Sequence, residues 1–496
     1  MQPDPSDYGL TLDRDECLLM DGVKLTDVAK EFGTPVHVVN GQRLVRDAQK
    51  FVDEAKNSYP GPVSVHFAFK SNSVPGIVEL IRGAGLKAEV MSEYELTLAL
   101  RLGYEPKEII VNGPCKTREF LARCVQSAVR FILVDSAEEL IRIDGISREI
   151  RKRTNILLRV NPGFRPGRIN RGSIAASRKT SPFGLDLVGG EVEEALDLVA
   201  DFRYVDFHGF HIHIGTGIRR SGDHARALSC LSYLHGLARR KGFELKVLDI
   251  GGGFPSPTSR EMTDSEMLLY QSFGILPRFG KSSGPLTEYF RKIAEAVRIG
   301  IGAGVIPELI FEPGRSITSQ NQVLLLRVHY VKHRAGKRTW LITDGGLGTV
   351  TMPTFYEYHE IFPCSGATRQ RKQLVNIIGP ACFSGDVVYK NKRMPEIMPG
   401  EVLAVMDSGA YFTALESSFG FYRPAIVAID GGRTRLLRRS ETFDDSVSRD
   451  FMERNDYKGG NGNEIRGSKR RNRPFAGFNR SRSHTQIHRK WRGIIG

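Results

Sequence analysis

Eight short runs rich in β-branched and aromatic residues are spread over residues 60–315 and separated by amphipathic stretches, and this alternation restricts the possible folds more than any other feature. The runs are Val63–Phe69, Ala88–Met91, Ile109–Val111, Phe131–Val134, Ile156–Val160, Val205–His213, Leu245–Ile250 and Leu309–Phe311. Helically spaced apolar residues fill most of the gaps, over Gly76–Arg82, Glu93–Arg101, Arg118–Ser127, Ala137–Ile150, Glu191–Val199, Ala225–Arg240 and Leu286–Ile299. Parallel strands need crossovers long enough for a helix, so the alternation predicts an α/β domain, and eight repeats fit a (β/α)8 barrel.

After Ile317 the pattern changes to strands joined by turns, over Val323–Val331, Thr339–Ile342, Leu374–Ile378, Val402–Met406, Ala425–Ile429 and Arg433–Leu437. This predicts an all-β second domain, a sandwich or small barrel, and 496 residues are ample for two cores. Arg165–Ser181, basic and rich in Gly and Ser, follows the fifth run and reads as a mobile lid or a solvated insertion.

Six scattered cysteines with no CxxC pair read as reduced thiols of a cytoplasmic protein. The polar, acidic start Met1–Pro5 lacks a signal peptide's basic and apolar regions, and no apolar stretch approaches the ~20 residues of a membrane span. The net charge of +15 is concentrated in Phe451–Gly496, which holds 12 Lys/Arg against three acids. That tail has no apolar period and is expected to be disordered. A charge argument for nucleic-acid binding therefore concerns the tail alone.

Polar motifs follow the apolar runs. Lys70 closes the first, at the strand end where barrel enzymes place their chemistry. A lysine buried there is expected to lose its proton readily and act as a nucleophile. His211 and His213 alternate onto one side of their strand. Gly251-Gly252-Gly253 lets backbone N–H groups approach a phosphate, although a glycine run alone is usually just a turn; Gly314 and Arg315 follow the next strand and can reach the same group. Glu312 precedes them, with a salt bridge to Arg315 as its simpler reading.

With Gly379-Pro380-Ala381-Cys382 and Gly409-Ala410-Tyr411, these segments resemble, in order and spacing, the fold type III (alanine-racemase-like) pyridoxal-phosphate decarboxylases, and diaminopimelate decarboxylase most of all, from about residue 8 to residue 445. The resemblance implies residues 1–35 as N-terminal strands of the β domain, 36–317 as the cofactor barrel, 318–445 as the β domain and 446–496 as a basic tail. It implies that Lys70 carries pyridoxal 5'-phosphate covalently, that Glu312 partners the pyridine nitrogen, and that His213 stacks on the ring while His211 is core. Arg159 and Thr216 lie near the cofactor; Gly251, Gly252, Gly253, Gly314, Arg315 and Tyr411 hold its phosphate. Cys382 becomes the proton donor to the substrate carbon, supplied across a homodimer with shared active sites. Arg315, Tyr356, Phe383, Asp386 and Tyr411 become substrate contacts for a small amino acid.

The match breaks at the far end of the substrate. The family's Cys-Glu-Ser-Gly-Asp reads Cys382-Phe383-Ser384-Gly385-Asp386 here, and its Arg-Pro-Ala-Leu-Tyr reads Met352-Pro353-Thr354-Phe355-Tyr356. An acid and a base that meet the distal amine and carboxylate are thus replaced by apolar residues. Ser417–Pro424 leans toward ornithine decarboxylases. The expected activity is removal of a carboxylate from meso-2,6-diaminopimelate to give L-lysine. The alternatives are an ornithine-, lysine- or arginine-type or carrier-bound substrate, or a catalytically silent cofactor-binding homologue.

Overall fold

The computed structural model of the chain describes residues 3–164, 176–177, 180–276, 283–302, 304–334, 338–352 and 356–450. Residues up to Ser446 form one compact unit. Its barrel consists of β1 (Val63–Ala68), β2 (Lys87–Val90), β3 (Ile109–Val111), β4 (Phe131–Val134), β5 (Thr154–Asn161), β6 (Val205–His211), β7 (Val247–Asp249) and β8 (Glu308–Phe311). Each strand pairs in parallel with the next, and β8 pairs with β1 through Leu309↔Val63 and Phe311↔Val65, which closes the ring. The eight sequence runs therefore become the eight barrel strands.

Alternation along these strands sorts the residues. One set, including Phe67, Val90, Val111, Val134 and Leu158, packs outward against the helices in the main core. Ile110, Phe131, Leu133, Leu157, Val247 and Ile310 form a separate apolar plug, as the inward positions of a barrel require. Below the plug lies a polar layer in which Ser64 Oγ and His66 Nε2 are 3.1 Å apart and Arg130 pairs with Glu308 at 2.6 Å. Above it, the inward positions are again polar.

The longest strand of the second domain, Gln322–Arg334, pairs with Arg338–Thr343, Val402–Val405 and Val36–Asn40. Ala425–Asp430 runs parallel to Val36–Asn40 on its other side. Two differences from the sequence reading follow. Val36–Asn40, counted with the barrel, is a central strand of the β domain. The earlier strands Thr11–Leu12, Leu18–Met20 and Val23–Lys24 form a small sheet of their own, which packs on the β domain through Leu18 and Met20 without joining its ladder. Apolar spacing alone did not reveal the helix Gly41–Ser58, which Asn40 caps by accepting the Arg43 N–H at 2.9 Å.

Among the described residues no helix is long and apolar enough to cross a membrane. Residues 165–175 and 178–179 of the expected lid, 353–355 of the Met352–Tyr356 segment and 451–496 of the basic tail lie outside the described residues.

Candidate active site

Every barrel strand delivers a polar side chain at its C-terminal end: Lys70, Glu89, Asn112, Asp135, Arg159, His211 with His213, Asp249 and Glu312. They are linked to one another. Lys70 Nζ donates to Glu89 Oε2. Asn112 Nδ2 donates to Glu312 Oε1 at 3.3 Å, and Arg159 Nη1 donates to Asn112 Oδ1 at 3.4 Å and lies 3.3 Å from Asp135. His211 Nε2 lies 3.8 Å from Glu312 Oε2, and the Gly251 N–H donates to Asp249 Oδ1 at 2.8 Å. Lys70, Glu89, Asn112, Arg159, His213 and Glu312 line a cavity of about 320 Å³, walled further by Thr216, Phe183, Tyr356 and Tyr411.

Crowding of buried carboxyl groups at the barrel mouth sets the charges. Burial, then Asp249 and Glu89, push the Glu312 carboxyl well above the usual carboxylate range, against the pull of Lys70 and Arg159. Burial raises Asp249 to about 7. Each of these two neighbours disfavours ionisation of the other, so the pair tends to retain a proton. Both histidines are pushed well below their ordinary value, first by burial and then by Arg159, and are neutral. The Gly252 N–H donates to His213 Nδ1 at 3.1 Å, which puts the ring proton on Nε2. The rings of His211 and His213 are nearly parallel, at 12°.

Lys70 departs from expectation. Burial does depress its ammonium, but Glu89, Glu312 and Tyr411 outweigh that effect and hold it above the ordinary lysine value. The cofactor-free amine is therefore charged, because the barrel mouth that buries it is lined with acids.

The expected phosphate cradle is tightly built. A Cβ on Gly252 would stand 2.4 Å from Glu312 O, and one on Gly253, whose φ is +89°, would stand 2.3 Å from Gly215 O. The backbone there approaches as only glycine permits. Arg315 reaches the same region from the end of β8. Its Nε donates to Thr216 Oγ1 at 3.5 Å, its Nη1 lies 2.6 Å from Glu357 Oε1, and its guanidinium stacks 4.9 Å from the centre of the Tyr411 ring. Arg315 Nη2 is buried with no hydrogen-bond partner among the described residues. The salt bridge considered between Glu312 and Arg315 is thus replaced by Arg315–Glu357. Tyr411 is fixed in a left-handed turn, φ +66°, by its N–H donating to Ser71 O at 2.7 Å, which ties it to the Lys70 loop.

Four residues named from the sequence do not join this group. Cys382 is exposed and Phe383 is 50% exposed, packed against Phe419. Asp386 is buried, with its two oxygens accepting from Leu347 N (2.6 Å) and Ala381 N (2.9 Å), so it braces the turn that presents Cys382 and Phe383. Met352 is 2% exposed inside the β-domain core with Met262, Leu324 and Val350, and is absent from the cavity wall. Conversely, sequence reasoning assigned no role to Glu89, Asn112, Asp135 or Phe183, whose ring lies 4.7 Å from the Arg159 guanidinium.

Pyridoxal phosphate fits this donor set. A buried carboxyl pair can face a ring nitrogen, a flat neutral imidazole can face a ring, a glycine turn with an unpartnered guanidinium nitrogen can meet a phosphate, and a lysine stands beside them. Known proteins agree. Residues 45–319 match the model of the pyridoxal-dependent decarboxylase, pyridoxal binding domain. Diaminopimelate decarboxylase of Aquifex aeolicus is 29% identical over 437 residues, 87% of this chain and 95% of that protein. The Methanocaldococcus jannaschii enzyme of the same name is 27% identical over 444 residues, 88% of this chain and 96% of that protein. A crystal structure of the M. jannaschii decarboxylase in complex with L-lysine superposes with a TM-score of 0.76 at 25% identity, covering 90% of this chain and 98% of that one. The chain belongs to the pyridoxal-dependent decarboxylases.

Proposed function

We propose that the protein removes one carboxylate from a 2,6-diamino dicarboxylic acid of the meso-diaminopimelate type, yielding L-lysine and CO2. The observation that carries this is the single cavity shared by Lys70, Glu312, His213, Thr216, Tyr356 and Tyr411, in a chain whose relatives with this name match along nearly their whole length. When bound, pyridoxal phosphate supplies the electron sink for the pair left behind as CO2 departs. Lys70 provides the amine that attaches it. Glu312 would face the ring nitrogen and keep it protonated. The Gly251–Gly253 turn, Gly314, Arg315 and Tyr411 bind the phosphate. His213 limits the ring's movement, and Phe183 and Tyr356 exclude water.

Cys382 returns a proton to the substrate carbon from a second copy of the chain. Its exposure, amid the half-exposed aromatics Phe383, Phe419, Phe421 and Tyr422, supports a homodimer with shared sites. The unpaired thiols suit a cytoplasmic setting.

A second reading is favoured by Phe383, half-exposed and apolar where the family pattern has an acid: decarboxylation of an amino acid with a less polar far end. A CO2-release assay across meso-diaminopimelate, lysine, ornithine and arginine separates the two. Highest kcat/KM on meso-diaminopimelate with stoichiometric lysine supports the first; turnover confined to another amino acid overturns it.

A further inference from the structure

We propose that Glu89 is the proton-exchange partner of the Lys70 amine, taking its proton when the amine becomes a nucleophile and returning it when the amine is released. The inference rests on the cofactor reading of the site and extends it to a residue that reading does not use. Lys70 Nζ donates to Glu89 Oε2, while Glu89 Oε1 is buried and has no hydrogen-bond partner among the described residues. The Glu89 side chain is 1% exposed, whereas that of Lys70 keeps 30% of its surface open, on the cavity side. The amine thus has an acid on its protein side and a free approach on the other.

A charged ammonium has no lone pair, so the proton must leave before a carbon–nitrogen bond can form. In the transfer an N–H bond of Lys70 breaks and an O–H bond forms on Glu89, and an ion pair becomes an amine and a neutral carboxylic acid. No other reactant is needed.

The surroundings favour Glu89 over the other groups that face Lys70. Glu312 is engaged by Asn112 and His211, and Asp249 by the Gly251 N–H. Tyr411 carries no carboxylate, and its ring is stacked by the Arg315 guanidinium. Arg159, His211 and His213 carry no carboxylate, and the two histidines are neutral. Glu95 stands behind Glu89, its Oε2 accepting the Met91 N–H at 2.8 Å. Burial, and then Glu89, raise its carboxyl to about 7.

The test is the rate at which pyridoxal phosphate attaches to the cofactor-free protein between about pH 6 and about pH 10, bracketing most of the ordinary lysine range. Attachment is followed by the bound cofactor's absorbance and located by borohydride reduction and peptide mapping. In the unmodified protein the proton passes to Glu89 within the site, so the rate should change little across the window. With Glu89→Gln the amine must lose its proton to solvent, so the rate should be lower at neutral pH and climb with pH through the window; Glu89→Asp should keep the unmodified shape. Superimposable profiles for the unmodified protein and Glu89→Gln would overturn the inference alone. Failure of the unmodified protein to attach cofactor at Lys70 would overturn the cofactor reading and the inference with it. If Glu89→Gln does not fold, the unmodified protein decides: a rate that climbs through the whole window shows the proton going to solvent and overturns the proposal.

Discussion

Arg315 and Glu357 form a buried ion pair, Nη1 to Oε1 at 2.6 Å, that fastens the end of the last barrel strand to the β domain. The other Glu357 oxygen lies 2.9 Å from His359 Nε2. Burial pushes the Glu357 carboxyl up, but Arg315 and His359 hold it below its ordinary value. Glu357→Ala leaves a buried guanidinium unpaired and should cost about 3–5 kcal/mol of stability, read as a fall in unfolding midpoint, together with weaker cofactor binding. Because the folded carboxyl titrates below the unfolded one, this pair stabilises above about pH 4.3 and is lost as pH falls further.

Asp249, Glu312 and Glu95 predict the opposite slope for the cofactor-free protein. Their carboxyls are raised in the folded state. Between the unfolded carboxylate value, about 4, and the raised values the folded chain holds more protons. Stability should therefore fall as pH rises from about 4 toward 7, and pyridoxal phosphate should reduce the slope by bringing a cation to Glu312. Thermal unfolding at several pH values, with and without cofactor, measures both.

Cys382 is exposed in the single chain and lies outside the Lys70 cavity wall. If a two-fold partner completes the site, mixing inactive Lys70→Ala and Cys382→Ala proteins should restore up to about a quarter of full activity, since half of randomly mixed dimers are hybrids with one intact site each. Hybrid dimers detected by mass spectrometry but devoid of activity would assign both residues to one chain.

Phe383 and Met352 differ in what they tolerate. Phe383→Glu is a change at a half-exposed turn and should alter stability by no more than about 0.5 kcal/mol. Met352→Arg places an unpaired charge in the β-domain core and should cost about 3 kcal/mol or more. Restoring the family's acid at 383 should raise kcat/KM for meso-diaminopimelate relative to other amino acids. A parallel drop across all substrates would mean that Phe383 does not face the substrate's far end.

The barrel was legible because β-branched runs and helical spacing are local properties, and each of the eight runs became a strand. Val36–Asn40 was misplaced because its partners, Gln322–Arg334 and Ala425–Asp430, lie some 280 to 390 positions away along the chain, and no local pattern reports them. The site motifs were legible where glycine or an unusual residue marked them, as at Gly251–Gly253 and Lys70. Glu89, Asn112 and Asp135 carry no such mark. They become visible only by asking which polar residue each barrel strand leaves at its C-terminal end, a question that needs the strand ends rather than the motifs. The charged state of Lys70 was misread for a related reason: burial was inferable from sequence, but the acids buried with it were not.

The most direct test of the account is borohydride reduction of the purified protein after loading with pyridoxal phosphate, followed by peptide mapping. The account predicts one labelled residue per chain, Lys70, with the label and CO2 release both absent in Lys70→Ala. Label on another lysine, or CO2 release retained by Lys70→Ala, would contradict it.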